Sequence, residues 1–236
     1  GYCLQAVDLG VLASSGLNCV RVYRPLRVAI LSTGDELIEP GARPAGVWQI
    51  YNSNHVQLQQ TLRGMGFSIV DGGLVSDDPA LIAGALSELS EVSDCILTTG
   101  GVSVGDADFV TRIMQESGSL TLWKIGLKPG KPLAVGSLNG TPLFGLPGNP
   151  VSAWVTLVFV VKAWLQKRQG VVTKPIPDFT VTSEFSYDNV SARDEFMRVV
   201  CRDNDLGISI ARSGNQDSGI LSGVSRSDGV LRIRAG

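Results

Sequence analysis

The chain has 236 residues, 44% of them hydrophobic, with 20 Lys and Arg against 22 Asp and Glu. That apolar content is enough to bury real cores and excludes a disordered chain. The net charge of −2 excludes a general field for nucleic acid or an anionic membrane, so any bound anion must be held by a local site.

Leu4, Val7, Val11 and Leu12 fall at helical spacing, with Gly16 where a helix would stop, and they predict a lead-in helix over 4–15. The opening "GYCLQAVDLG" has neither an initiating Met nor a signal-peptide layout, and it reads as the interior of a longer protein. From Arg27, "RVAILS" predicts a β-strand and "TGDELIEPG" a polar turn. Asn52 or Ser53 can then cap a helix with Leu58, Leu62 and Met65 on one face. Next come "FSIV" as a strand, "DDPALIAGALSEL" as a helix with Leu81, Ile82, Ala85, Leu86 and Leu89 inward, and "DCIL" as a strand entering the loop "TTGGVSVGDAD". "FVTRIMQESG" predicts a further helix. Short strands with Gly/Pro turns follow, and then a helix with Asn149 as its cap and Pro150 in its first turn.

Strands separated by helices of this length demand crossover connections, hence a three-layer α/β/α unit around a mainly parallel sheet. The prolines of "QGVVTKPIP" mark a boundary. After Asp178, "FTVTSEFSY", "FMRVVCR", "GISIAR" and "GVLRIRAG" predict strands with no helix between them, a small and incomplete all-β, barrel-like domain. The expected division is 1–26 as lead-in helix and linker, 27–170 as the α/β domain and 171–236 as the β domain.

Cys3, Cys19, Cys95 and Cys201 never form C-x-x-C, which argues against a zinc knot or disulfide scaffold and fits a reducing, cytoplasmic setting. His55 is the only histidine, so a multi-histidine metal site is excluded; as a helix residue near a cap it reads as structural. The apolar run Val151 to Leu165 is shorter than the roughly 20 residues a membrane span needs, and it reads as a buried or interface helix in which Trp154 and Trp164 fill the core or a dimer surface.

Ligands of an open parallel sheet bind at the carboxyl ends of its strands, which singles out the loops after "VAILS", "DCIL" and "PLFGL". Thr33, Gly34, Thr99, Gly100, Gly101, Ser103, Pro147, Gly148, Asn149 and Pro150 lie there, where loop amides and a helix start can hold phosphate without net charge. No P-loop or G-x-G-x-x-G is present: "GLKPGKP" has three residues between its glycines and Pro132 where Ser or Thr is required. The plain reading of the central loop is a strand-to-helix turn capped by Asp106 or Asp108. Acidic pairs recur at strand ends, Asp35 with Glu36, Asp77 with Asp78 and Asp106 with Asp108, and carboxylates converging in one cleft suit Mg²⁺; Asp78 alone reads as a helix cap. Lys124, Lys128 and Lys131 surround a rigid "KPGKP" turn, with Lys124 and Lys128 expected on one strand face, able to neutralise a phosphate or oxyanion.

"STGDEL", "DDPAL", "TTGGVSVGDAD", "KPGKP" and "GLPGNPVSA", in this order, resemble the molybdopterin molybdenumtransferases, the family that includes the E domain of gephyrin. The resemblance implies a molybdopterin-binding fold and the last step of molybdenum cofactor assembly: adenylyl-molybdopterin is bound, molybdate is inserted with Mg²⁺ present, and AMP is released. It implies Glu36, Asp77 and Asp108 as functional acids and Mg²⁺ ligands, Lys124 and Lys128 as functional bases, and Lys131 and the proline-rich loop at Pro147 and Pro150 as substrate-binding. It also implies a homodimer whose site is completed by domains preceding this segment, and contacts with other molybdenum cofactor synthesis proteins. Two other readings remain open, an enzyme like the molybdopterin adenylyltransferases, which carry a similar T-x-G-G loop, and a non-catalytic dimerisation or scaffold module. The β domain and the "GLPGNP" helix favour the first reading over the adenylyltransferase.

Overall fold

A computed structural model describes residues 1–44, 46–102, 108–172, 180–188, 191–204 and 207–235. Helix α1 (Ala6–Ser14) comes first. It stops where Gly16 donates to the Ala13 carbonyl and Leu17 to that of Leu12, which satisfies the last carbonyls of the helix. No residue of α1 is buried.

Strand β1 (Arg27–Thr33) is followed by two-residue strands β2 (Leu37–Ile38) and β3 (Ile50–Tyr51), which pair with each other. Helix α2 (Ser53–Gly64) starts at Asn52, whose side chain accepts from the His55 amide, and buries Leu58 and Leu62. Strand β4 (Ser68–Val75) leads to α3 (Pro79–Val92), capped by Asp78. Ile82, Leu86 and Leu89 are its buried face; Leu81, expected inward, is 56% exposed because it lies one residue off that i, i+4, i+7 stripe.

Strand β5 (Cys95–Thr99), helix α4 (Phe109–Ser117), strand β6 (Gly118–Trp123), two-residue β7 (Leu127–Lys128), β8 (Ala134–Leu138) and β9 (Thr141–Leu146) complete the sheet elements of this part. A near-continuous helical stretch then runs through α5 (Pro150–Thr156), a π-helical turn at Leu157–Val161 and α6 (Lys162–Arg168).

The main sheet has the order β4-β1-β5-β9-β8-β6, with β4, β1, β5 and β9 parallel and β8 and β6 antiparallel at one side. Successive strand residues face opposite sides. Val28, Ile30 and Leu97 join Leu58, Leu62 and Leu157 under α2 and the C-terminal helical stretch. Ala29, Leu31 and Ile96 join Ile82, Leu86 and Val110 under α3 and α4. Both faces are therefore covered, which is why Val28 to Leu31 are apolar in succession rather than alternating.

Beyond the helices lie β10 (Thr182–Ser183), β11 (Asp194–Asn204), β12 (Gly207–Arg212), the short helix α7 (Ser222–Ser225) and β13 (Gly229–Ile233). They form a curled sheet of order β10-β12-β11-β13, and β7 of the preceding part pairs with β11. The expectation of strands alone is corrected by α7, a single turn that closes the Gly/Ser-rich link between β12 and β13. Of "FTVTSEFSY", only Thr182–Ser183 is a strand among the described residues; residues 173–179, with most of the expected boundary, lie outside them. Trp164 meets Phe144 edge-on, and Trp154 meets Phe159, so both tryptophans pack within this chain.

Candidate functional site

Strands β1, β5 and β9 are neighbours in the parallel part of the sheet, so their carboxyl ends open at one edge. There a cleft of about 700 Å³ is lined by Thr33, Gly34 and Glu36 after β1, Asp77 after β4, Thr99, Gly100 and Gly101 at the end of β5, and Pro147, Gly148, Asn149 and Pro150 after β9. Those loops, each unusual in sequence, are brought together by strand order. Ser103 and Asp106 lie outside the described residues.

The floor of the cleft is tightly built. Gly100 has φ +92°, and a Cβ there would stand 2.4 Å from the Thr33 carbonyl oxygen, so the loop admits only glycine. Thr33 is 2% exposed and its Oγ1 has no partner among the described residues; Asn52, at 1%, spends Oδ1 on the His55 amide and leaves Nδ2 without one among them. Asn54 donates to the Gly148 carbonyl at 2.6 Å, which ties the start of α2 to the proline-rich loop, while its Oδ1 is unpaired. Orphaned polar atoms on a buried floor cost free energy unless a ligand completes them. Asn52 and Asn54 were missed from the sequence, where "YNSN" reads as helix-cap chemistry; three cap-type residues in four were the available signal.

Asn149 stands at the cap position of α5, but its side chain makes no capping bond and donates instead to Ser218 Oγ at 3.0 Å. The Val151 amide is likewise used by the Ser218 carbonyl at 3.0 Å. The link between β12 and α7 thus occupies donors at the start of α5 that would otherwise be open to a phosphate.

Asp77 and Glu36 are the acids that line the cleft. Burial holds the Asp77 carboxyl above the ordinary carboxylate range; a hydrogen bond from the Asp35 backbone opposes that effect, while the Asp35 charge adds to it. Asp108 does not line the cleft; it caps α4 by accepting from the Thr111 amide at 3.3 Å. Burial raises its carboxyl, opposed by Thr111 and the Lys124 charge. Among the described residues no three His, Cys, Asp or Glu side chains lie close enough to hold a metal ion, so Glu36, Asp77 and Asp108 do not form the expected Mg²⁺ triad. Mg²⁺ itself takes one or two carboxylates with water and phosphate completing its shell, and the pair Glu36 and Asp77, one of them disfavoured as an anion, fits that need.

The lysines separate. Lys124 adopts φ +74° just beyond β6 with its Nζ 4.0 Å from the Trp123 ring, whereas Lys128 lies in β7 on the other sheet and ion-pairs with Glu195. The expected shared face is lost because Lys124 and Gly126 turn the chain between them. Lys128 and Lys131 line a second cavity of about 430 Å³ with Arg193, Arg212, Tyr187 and Glu195; it borders the first cleft through Pro132 and Ser152, which line both. Burial works to raise the Glu195 carboxyl, but its bonds from Lys128 and Tyr187 hold it below the ordinary range. The fully buried Arg198 donates to the carbonyls of Asn215 at 2.8 Å and Asp217 at 3.1 Å and so shapes the segment bearing Gln216 and Ser218, which also line this cavity.

Residues 29–167 match the family model of a "probable molybdopterin binding domain", and residues 180–236 match that of the MoeA C-terminal region, domain IV. The molybdopterin molybdenumtransferase of Haemophilus influenzae is 37% identical over 97% of this chain and 57% of its own length. Molybdopterin molybdenumtransferase 2 of Mycobacterium tuberculosis is 31% identical over 99% of this chain and 58% of its own length. A solved MoeA molybdopterin biosynthesis protein from Pyrococcus horikoshii superimposes with a TM-score of 0.79 at 27% identity, covering 98% of this chain and 55% of that one. The chain therefore spans about half the length of the curated relatives it matches.

Proposed function

This chain belongs to the MoeA family of molybdopterin-binding proteins, and from that premise we propose that it is the part of a molybdopterin molybdenumtransferase that holds adenylyl-molybdopterin while molybdate is inserted and AMP released. The observation that carries the reading is the convergence of three strand-end loops on one cleft whose floor leaves Thr33 Oγ1 and Asn52 Nδ2 unpaired. The presence of the MoeA C-terminal region favours this reading over an adenylyltransferase.

The roles follow from chemistry. Thr33, Asn52 and the amides around Gly100 and Gly101 donate to acceptors on the bound intermediate, and the proline-rich loop at Pro147 to Pro150, held by Asn54, forms the opposite wall. Glu36 and Asp77 would hold Mg²⁺, which when bound neutralises phosphate charge at the bond that is cleaved. Lys128, Lys131 and Arg212, around the second cavity, attract the molybdate oxyanion toward the shared wall at Pro132 and Ser152. Lys124 acts through its charge on Asp108 at the start of α4. A homodimer is part of this reading, since α1 leaves Val7 and Val11 at 77% and 59% exposure, as are contacts with other cofactor-synthesis proteins and a cytoplasmic setting. Among the described residues no helix is long and apolar enough to cross a membrane.

The test is conversion of adenylyl-molybdopterin and molybdate to mature cofactor by the intact protein, followed by AMP release. Glu36→Gln and Asp77→Asn should each lower the rate at least about a hundredfold, the order of a lost electrostatic contact in the transition state. Rates near that of the unaltered protein in both variants would overturn the roles assigned to them.

A further inference from the structure

The notable polar structure under the cleft is a chain of four side chains that no function has yet absorbed. Thr99, which lines the cleft, donates from Oγ1 to Ser32 Oγ at 3.2 Å; Ser32 Oγ is 3.3 Å from His55 Nδ1; and His55 Nε2 is 3.0 Å from Asp71 Oδ1. Thr99, Ser32 and His55 are 1%, 0% and 7% exposed, whereas Asp71 reaches the surface on β4. The Asp71 carboxylate is itself fixed, accepting from Gln59 at 3.0 Å and from the Gly73 amide at 2.9 Å. Residues from β1, β5, α2 and β4 thus form one line from the outside to the ligand floor.

The direction of that line follows from counting protons. Two groups face His55 Nε2: the Asp71 carboxylate at 3.0 Å, which only accepts, and the Gln59 amide nitrogen at 3.4 Å, which already donates to Asp71; the shorter contact assigns the ring proton to Nε2. With the imidazole neutral, Nδ1 is then an acceptor, and Ser32 gives it its only hydrogen. Ser32 Oγ is left to accept, and Thr99 supplies that bond. Every hydroxyl proton points away from the cleft, so Thr99 has lone pairs but no proton to offer a ligand.

We infer that Asp71, His55 and Ser32 are positioning residues that fix Thr99 as a hydrogen-bond acceptor in the cleft, so that it selects a ring N–H or amino donor of a nitrogen heterocycle and not a phosphate oxygen. Resting on the proposed function, this assigns Thr99 to the pterin part of the substrate, while the unpaired Thr33 Oγ1 and Asn52 Nδ2, with a hydrogen to give, serve its oxygens. The arrangement was hidden in the sequence because its members lie on four separate elements, and a lone histidine beside a helix cap reads as structural.

Because His55 is the only histidine, long-range ¹H–¹⁵N spectra of the full chain report on this imidazole alone. For the neutral ring they should show the Nε2–H tautomer with a hydrogen-bonded Nδ1, and Ser32→Ala should move the Nδ1 resonance toward that of a free nitrogen while Nε2 stays in place. An Nδ1–H tautomer overturns the inference and leaves the functional reading standing. Calorimetry with neopterin as probe tests the ligand end: Thr99→Val should weaken binding about tenfold and Thr99→Ser should restore it. Equal affinity in Thr99→Val overturns the assignment of Thr99 to a donor, whatever the tautomer. No neopterin binding by the unaltered chain, with the tautomer as stated, overturns the pterin-binding reading and with it the ligand end of this proposal.

Discussion

At the scale of single residues, the cleft is defined by backbone that admits one residue type and by polar atoms that lack partners. Gly100→Ala would force a methyl to within 2.4 Å of the Thr33 carbonyl at φ +92°. We expect it to cost at least about 1 to 3 kcal/mol in urea denaturation and to abolish ligand binding, since loop and β1 end must part. A stability equal to that of the unaltered chain would contradict the tight floor. The acids were only partly legible. "STGDEL" and "DDPAL" pointed to the pairs Asp35–Glu36 and Asp77–Asp78, because turn residues after an apolar strand place carboxylates at a sheet edge; the choice of Glu36 and Asp77 within them rested on the family resemblance. Asp108 was placed in the same group by the family resemblance, and its carboxylate closes the first turn of α4. A cap and a ligand demand the same residue type, and sequence cannot say which way the carboxylate faces.

At the scale of elements, the α/β pattern was readable because apolar runs and caps alternate with the right lengths. Leu58 and Leu62 on α2 and Leu97 on β5 are fully buried in one cluster. Leu97→Ala is expected to lower the unfolding free energy by about 2 to 5 kcal/mol, read as a lower urea midpoint at unchanged slope. A loss below about 1 kcal/mol would show that this layer is not packed as described. What was not legible is where two-residue strands go. β7 sits in a Gly/Pro-rich segment with no periodicity to reveal it, and pairing with β11 moves Lys128 away from Lys124. The π-helical turn at Leu157–Val161 is equally silent, since the apolar run continues through it.

At the scale of the whole molecule, the parts are joined by buried contacts as well as by chain. Val151 and Val155 of α5 cluster with Phe196 of β11, with Leu127, Trp154 and Val230 against them. A chain ending at Gly170 would expose that surface, and we expect it to bind the dye ANS and to melt lower than the full chain; absence of both effects would mean that the two parts are independent. The chain before β1 is tied differently, by Arg24 to Asp94 at 2.5 and 2.7 Å and by Gln169 to Leu26 and Arg24. The hydrogen bond from Arg24 holds the Asp94 carboxyl well below the usual carboxylate range. Its folded value is depressed, so its contribution to stability is present above the unfolded value near pH 4 and is lost as pH falls through the folded value. Denaturation of Asp94→Ser should therefore differ from the unaltered chain at pH 7, with the gap closing steadily below about pH 4. A gap unchanged down to pH 2 would contradict the pairing.

All three scales meet in the claim that the cleft at the ends of β1, β5 and β9 holds adenylyl-molybdopterin through groups left unpaired in the fold. The most direct measurement is calorimetric titration of this chain with adenylyl-molybdopterin, alongside Thr33→Val and Asn52→Asp, which keep shape while removing the two orphaned donors. The account predicts saturable binding that each substitution weakens by about tenfold, with the melting temperature of Thr33→Val no lower than that of the unaltered chain. Binding that is absent, or that is indifferent to both substitutions, would contradict it.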